Sequence, residues 1–358
     1  MTSFDSSSKS QSNRIEGLDL IRVIAIFSVV LVHCFLNACP ISDIEYFNGL
    51  SVTSKLILLS FYTIGALGVP LFFMLSGYLL LPREFDEDKT KKFYRKNLIP
   101  LLIAWELWIP ANNWLALWYY DIPFHTSTVL KNMLFIEPVY IGHSWFMPVI
   151  LGIYLFIPYL ARVLKTMTSA ELTITLIVAC FYFFVIPTIS QLKSANWNVC
   201  LDLNFSGGLH GLYVIFGYLV KRYELRIKSS LKLVFIMIPA ISLTILSQLY
   251  FNIANGNVFR LWYDFLLIPL FVIPIFILLK SVKIMKFKSL TRSISDCAFG
   301  MYLIHVFVIA VFLKYGILNF IVGDELRIIV LTLVVYILSF ALAVSIKNIP
   351  YIGKILVR

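Results

Sequence analysis

Early in the chain a carboxylate, a cation and an imidazole stand at spacings that suit group transfer. His33 lies inside an apolar run over residues 20–36, Arg22 stands eleven positions before it, and Asp19 three before that. On a helix, eleven residues turn through roughly 1100°, about 20° beyond three full turns, and rise about 16.5 Å. Arg22 and His33 therefore share one face, the cation at one end and the imidazole deep in the run. Asp19 and Arg22, at i and i+3, are placed to pair. Such a face suits a reaction that binds an anionic donor at one end and needs a base at the other. An unperturbed pKa of about 6.5 leaves an imidazole largely neutral at pH 7, the form that takes a proton from a hydroxyl. The plainer alternative is an arginine that snorkels to an interface and an unrelated histidine.

Further candidates are spread along the chain. His305 lies in a late apolar segment, either as a functional group or as a packing donor between helices. His143 opens His143-Ser144-Trp145-Phe146, where Trp145 offers a flat face to a ring-shaped substrate or takes an interfacial belt position. Ser76 and Tyr78 flank Gly77, as hydroxyl donors to an oxyanion or as parts of a close helix contact. Glu106 is a further ionisable group in an apolar segment, and Asp264, beside Trp262 and Tyr263, reads as interfacial. Cys34, Cys39, Cys180, Cys200 and Cys297 show no CxxC or Cys/His ligand spacing, so no metal site is expected.

The elements that must hold these residues follow from composition. The chain is 60% apolar and 14% charged, with mean hydropathy +0.87, against about 45–50% and about 25% for soluble domains. That excludes a water-soluble globular enzyme, a disordered protein and a small disulfide scaffold. Ten stretches approach the roughly 20 apolar residues that cross a bilayer: 18–38, 54–80, 98–119, 145–163, 171–189, 207–221, 231–251, 261–280, 297–315 and 326–346. The expected fold is an all-α polytopic membrane protein of about ten transmembrane helices. With the N-terminus placed inside, 24 of the 30 Lys and Arg fall on the inner side. Only Lys55, Lys131, Lys193, Arg260, Lys314 and Arg327 fall outside. This split predicts both termini in the cytoplasm. The net charge of +11 is thus topological, and nucleic acid is not an expected partner. Residues 1–13 read as a disordered polar tail, 14–347 as one membrane domain and 348–358 as a cytoplasmic tail. The first apolar run is too long for a signal-peptide core and lacks a small-x-small cleavage site.

Several of these segments carry a resemblance. Arg22 and His33 with ten residues between them, preceded by Gly17-Leu18-Asp19-Leu20, resemble the signature of acyltransferase family three, the integral membrane acyltransferases. Gly68-Val69-Pro70-Leu71-Phe72-Phe73-Met74-Leu75-Ser76-Gly77-Tyr78 resembles the second span of that family. Phe93-Tyr94-Arg95-Lys96-Asn97-Leu98-Ile99-Pro100 resembles its basic loop. His143-Ser144-Trp145-Phe146 and Phe299-Gly300-Met301-Tyr302-Leu303-Ile304-His305 resemble a fourth and a late span. The likeness covers nearly the whole chain and is strongest to stand-alone bacterial sugar O-acetyltransferases, such as the one that modifies enterobacterial common antigen. One motif departs: many members carry Arg-x-x-Arg in the basic loop, where this chain has Lys92-x-x-Arg95 followed by Lys96. A lysine neutralises phosphate but lacks the planar fork of arginine.

The resemblance implies transfer of an acetyl group from cytoplasmic acetyl-CoA to a sugar hydroxyl of a cell-envelope or surface polysaccharide. The setting it implies is a bacterial inner membrane, with a lipid-linked or surface glycan as acceptor and membrane lipids around the protein. Acetyl-CoA enters as co-substrate, and no bound cofactor is expected. The implied roles are Arg22, Lys92, Arg95 and Lys96 at the donor phosphates, His33 as base, Asp19 orienting Arg22, and His143 and Trp145 on the acceptor side. An alternative is a transporter or flippase of a lipid-linked glycan. It predicts paired discontinuous segments in two halves of the chain, which this sequence does not show. It also leaves the shared face of Arg22 and His33 without a purpose.

Overall fold

Apolar runs in a bilayer become helices because hydrocarbon offers no partner to a backbone N–H or C=O. The computed structural model describes residues 14–193, 207–224, 230–255, 261–351 and 353–357, with the single residues Trp197, Leu201, Leu203 and Phe259. The tail at 1–13, Cys200 and Arg260 lie outside the described residues. The helices are α1 (Glu16–Ala38), α2 (Ile44–Gly49), α3 (Val52–Gly65), α4 (Gly68–Leu80), α5 (Glu87–Phe93), α6 (Ile99–Tyr120), α7 (Thr126–Met133) and α8 (Phe146–Thr166). They continue as α9 (Ser169–Cys180), α10 (Ile186–Leu192), α11 (Gly208–Arg222), α12 (Ser230–Asn255), α13 (Leu267–Lys280), α14 (Lys288–Lys314), α15 (Asp324–Lys347) and α16 (Gly353–Leu356). No β-strand occurs among the described residues.

Among the described residues, seven helical segments are long and apolar enough to cross a membrane, with α3–α4 and α9–α10 each counting as one. The expectation of ten is therefore not confirmed. Of the other three stretches, α11 and α13 have only 15 and 14 residues. Helix α6 has 22, but Glu106, Asn112 and Asn113 dilute its apolar character. Residues 353–356, within the expected tail, form α16, which packs against α6 and α15. There Trp108 Nε1 donates to the Leu356 carbonyl at 3.0 Å.

Two π-helical segments, Tyr94–Leu98 and Phe181–Val185, lead into α6 and α10. In each case a proline follows two positions on, Pro100 and Pro187. Proline has no N–H for the carbonyl four residues back, and its ring crowds that oxygen. The ladder widens instead: Ile99 N–H donates to the Tyr94 carbonyl, and Ile186 N–H to the Phe181 carbonyl. The first of these segments carries Arg95 and Lys96.

Helix α1 packs against α3, α4, α13, α14 and α15 and is the central element for the site. In their most apolar windows, 67% of α1 and of α14 is buried, against 17% of α12 and of the α9–α10 run. The latter two therefore present Ile174, Ile177, Leu243 and Leu246 outward, as lipid-facing helices do. Helices α4 and α11 cross at a reciprocal glycine contact. A Cβ on Gly77 would lie 1.7 Å from the Val214 carbonyl oxygen, and one on Gly217 1.9 Å from that of Met74. Only the absence of side chains permits this approach.

Candidate active site

The lower turns of α1 meet the start of α14 through a compact ionic cluster. Asp19 is buried. Its two carboxylate oxygens accept from Arg14 Nε and Nη2 at 2.6 Å each. Arg22 Nη1 donates to Asp19 Oδ1 at 3.0 Å and to Ser295 Oγ at 3.3 Å. Ser295 Oγ in turn donates to Asp19 Oδ1 at 2.7 Å, and Arg14 Nη2 reaches Asp296 Oδ1 at 2.7 Å. The hydrogen-bonded Asp19 carboxylate holds the Arg14 guanidinium above its ordinary pKa despite the opposing effect of burial. Two arginines and two aspartates balance, so the cluster adds no net charge. Its effect is to aim Arg22.

Arg22 lines a cavity of about 230 Å³ together with Ser76, Tyr154, Ser295, Phe146 and Tyr302. Ser76 Oγ donates to the Phe72 carbonyl at 3.1 Å and lies 3.3 Å from the Tyr154 hydroxyl. Tyr78 lines neither this cavity nor the one at His33. It lies between Lys221 and Lys280, whose ammonium groups each stand 5.7 Å from its ring centre. Lys92, Arg95 and Lys96 are exposed and do not line the Arg22 cavity.

Further along α1, His33 lines a second cavity of about 170 Å³ with His143, Trp145, Trp262, Tyr263, Phe146 and Tyr302. Phe146 and Tyr302, whose rings meet edge to face at 5.3 Å, thus form a wall common to both cavities. Three histidines from three parts of the chain converge here. The ring centres of His33 and His305 are 5.1 Å apart, those of His143 and His305 5.3 Å, and those of His33 and His143 6.2 Å. His143 and His305 are fully enclosed and His33 half-buried. His305 Nδ1 lies 2.7 Å from the Tyr302 carbonyl oxygen. A carbonyl only accepts, so this nitrogen carries the proton. His305 Nε2 and both nitrogens of His143 make no hydrogen bond among the described residues. No group of three or more His, Cys, Asp or Glu among the described residues is arranged to hold a metal ion.

Polar contacts set the loops around this second cavity. Tyr302 Oη donates to the His143 carbonyl at 2.8 Å. The loop ahead of His143 is folded by Asn132, whose Nδ2 donates to the Glu137 and Pro138 carbonyls at 3.1 Å. Its Oδ1 accepts from Asn113 Nδ2 of α6 at 3.0 Å. On the opposite wall, Tyr62 Oη donates to the Leu261 carbonyl at 3.0 Å and Tyr213 Oη to the Tyr263 carbonyl at 2.8 Å. Asp264 accepts from Gln191 Nε2 at 2.9 Å. These bonds present Trp262 and Tyr263 to Trp145, with ring centres at 5.5 and 5.9 Å.

A model of acyltransferase family three, described as an acyltransferase domain, matches residues 15–347. The chain belongs to this family. It is therefore an integral membrane acyltransferase. No curated protein and no solved structure matches, so the comparisons reach the family and no individual enzyme.

Within this acyltransferase, the structure brings His33, His143, Trp145 and His305 together and sets Arg22 and Ser76 at the neighbouring cavity, with Asp19 bonded to Arg22 behind it. It leaves Lys92, Arg95 and Lys96 on the surface. Reasoning from sequence missed the shared wall of Phe146 and Tyr302, the partners Arg14, Ser295 and Asp296, and the pair Asn113 and Asn132. Tyr302 was within reach, since it stands three residues before His305 and so on its face of the helix. Asn112 and Asn113, two amides in an apolar helix, were a second unused signal.

Proposed function

We propose that this acyltransferase moves an acetyl group from cytoplasmic acetyl-CoA to a sugar hydroxyl of a cell-envelope or surface polysaccharide, from within a bacterial inner membrane. The observation that carries the reading is the pair of cavities on one face of α1, with Arg22 at one, His33 at the other and Phe146 and Tyr302 between them. In this reading the donor thioester reaches the shared wall from the Arg22 side. Arg22 acts as an aimed hydrogen-bond donor, and Lys92, Arg95 and Lys96 supply the positive surface that draws a polyanion in. The acceptor lies on the His33 side, where Trp145, Trp262 and Tyr263 offer flat faces of the kind that stack on sugar rings.

The chemistry balances on one histidine. The hydroxyl oxygen attacks the thioester carbonyl carbon while a free nitrogen of His33 takes the hydroxyl proton. The new C–O bond forms, the C–S bond breaks, and the leaving thiolate takes the proton from the His33 imidazolium. The products are an acetyl ester and coenzyme A thiol.

The test is the acetyl-ester content of the host's surface glycans. A strain lacking the protein should lose acetate, regain it with the wild-type chain, and stay without it when His33→Ala is present at a matched membrane level. Unchanged acetate in the deletion strain would overturn the polysaccharide reading.

A further inference from the structure

We propose that His305 is a positioning residue for His33, holding it through an N–H···N hydrogen bond so that the free nitrogen of His33 faces the acceptor. This rests on the reading of His33 as base. One contact decides the tautomer of His305. Its Nδ1 carries a proton because it donates to the Tyr302 carbonyl at 2.7 Å, within its own helix. The neutral ring therefore has a bare lone pair on Nε2, on the side turned away from that carbonyl. That nitrogen is buried and makes no hydrogen bond among the described residues. A buried acceptor without a donor is destabilising, so a donor at that place has a definite purpose.

The groups that face His305 are few. Tyr302 has spent its hydroxyl proton on the His143 carbonyl. That leaves His33 of α1 and His143 of the loop before α8, at ring-centre distances of 5.1 and 5.3 Å. Two imidazoles joined by an N–H···N bond of about 2.9 Å have ring centres roughly 5 Å apart, so the His33 separation fits a direct bond after a small ring rotation. His33 is also the one of the two that is half-open to the cavity. A neutral His33 has one N–H and one lone pair. Donating the N–H to His305 Nε2 leaves the lone pair for the acceptor hydroxyl. When His33 takes the hydroxyl proton, the imidazolium keeps its bond to His305, which shares the positive charge without taking the proton. The proton then leaves on the thiolate.

Two measurements separate this proposal from the reading it rests on. The first needs no substrate. Nitrogen-15 NMR of the histidine-labelled protein in bilayers reads each ring nitrogen, and with five histidines in the chain substitution assigns the signals. The His305 Nε2 signal should be that of an unprotonated, hydrogen-bonded nitrogen. It should move to the unbonded position in His33→Phe and stay in place in His143→Phe. Movement in His143→Phe alone overturns the proposal. The second measurement follows acetyl transfer from acetyl-CoA to the envelope glycan fraction of the host. His305→Asn keeps a donor for the helix carbonyl and lacks an acceptor at the Nε2 position; it should lower kcat about 100-fold with KM for acetyl-CoA unchanged. His305→Gln restores an acceptor there and should return kcat to within about tenfold of wild type. Wild-type kcat in His305→Asn, or a Gln variant as inactive as Asn at equal thermal stability, overturns the proposal. If the wild-type protein transfers no acetyl group to that fraction, the acetyl-glycan reading falls, and the NMR result still decides the bond.

Discussion

At the scale of residues, the proposed reading divides the site into a group that aims and a group that reacts. Asp19 accepts from Arg14, Arg22 and Ser295 at once, so Arg22 has little freedom to turn. A lysine at 22 keeps the charge and loses the fork. Arg22→Lys should therefore raise KM for acetyl-CoA about tenfold or more, the effect of a lost charge-assisted hydrogen bond of about 1.5–3 kcal/mol, with a smaller change in kcat. Steady-state kinetics on purified protein check this, and an unchanged KM would remove Arg22 from the donor site. His33→Ala should do the reverse: kcat falls by a factor of about 100 to 10,000, the usual worth of a general base, while donor binding by calorimetry is retained.

At the scale of elements, two contacts hold the geometry. The first is the crossing of α4 and α11 at Gly77 and Gly217. Gly77→Ala forces a methyl into the Val214 carbonyl, and overpacking of this kind costs about 1–3 kcal/mol. Melting temperature and activity should fall together. Gly152→Ala on α8 meets nothing within 4 Å and should leave both in place, which controls for any general effect of alanine. The second is the buried amide pair of Asn113 and Asn132. Asn132→Leu removes the groups that hold the Glu137 and Pro138 carbonyls and leaves Asn113 Nδ2 with only its bond to the Ile109 carbonyl. The loop bearing His143 should lose its fixed path, and transfer should drop at least tenfold while the helical far-UV signal stays. Full activity in that variant would show that the loop holds itself.

At the scale of the whole molecule, the proposal needs its two cavities to open to opposite sides of the membrane. Leu36 lines the His33 cavity and is 44% exposed, whereas Arg95 is exposed on the π-helical segment that leads into α6. In a background with the five native cysteines replaced, Leu36→Cys should react with an impermeant maleimide added outside intact spheroplasts. Arg95→Cys should react only after the membrane is opened. Labelling of both from one side would contradict transfer across the bilayer.

The sequence alone determined the helical, membrane-embedded character of this protein, because composition and backbone hydrogen bonding leave a long apolar chain little else. It also determined that Asp19, Arg22 and His33 share one face of α1, since their spacing is a property of one helix. Motifs spread along the chain pointed to the family that the match over residues 15–347 bears out. What depended on packing was not legible. His305 read equally well as a packing donor, and its meeting with His33 and His143 depends on how three segments more than a hundred residues apart cross. The count of ten spans is not confirmed, because apolar stretches do not reveal where a helix ends: residues 261–266 form a pinned loop ahead of α13. Side-chain spacing within a helix follows from local geometry, whereas convergence between helices follows from their crossings, which only the folded structure decides.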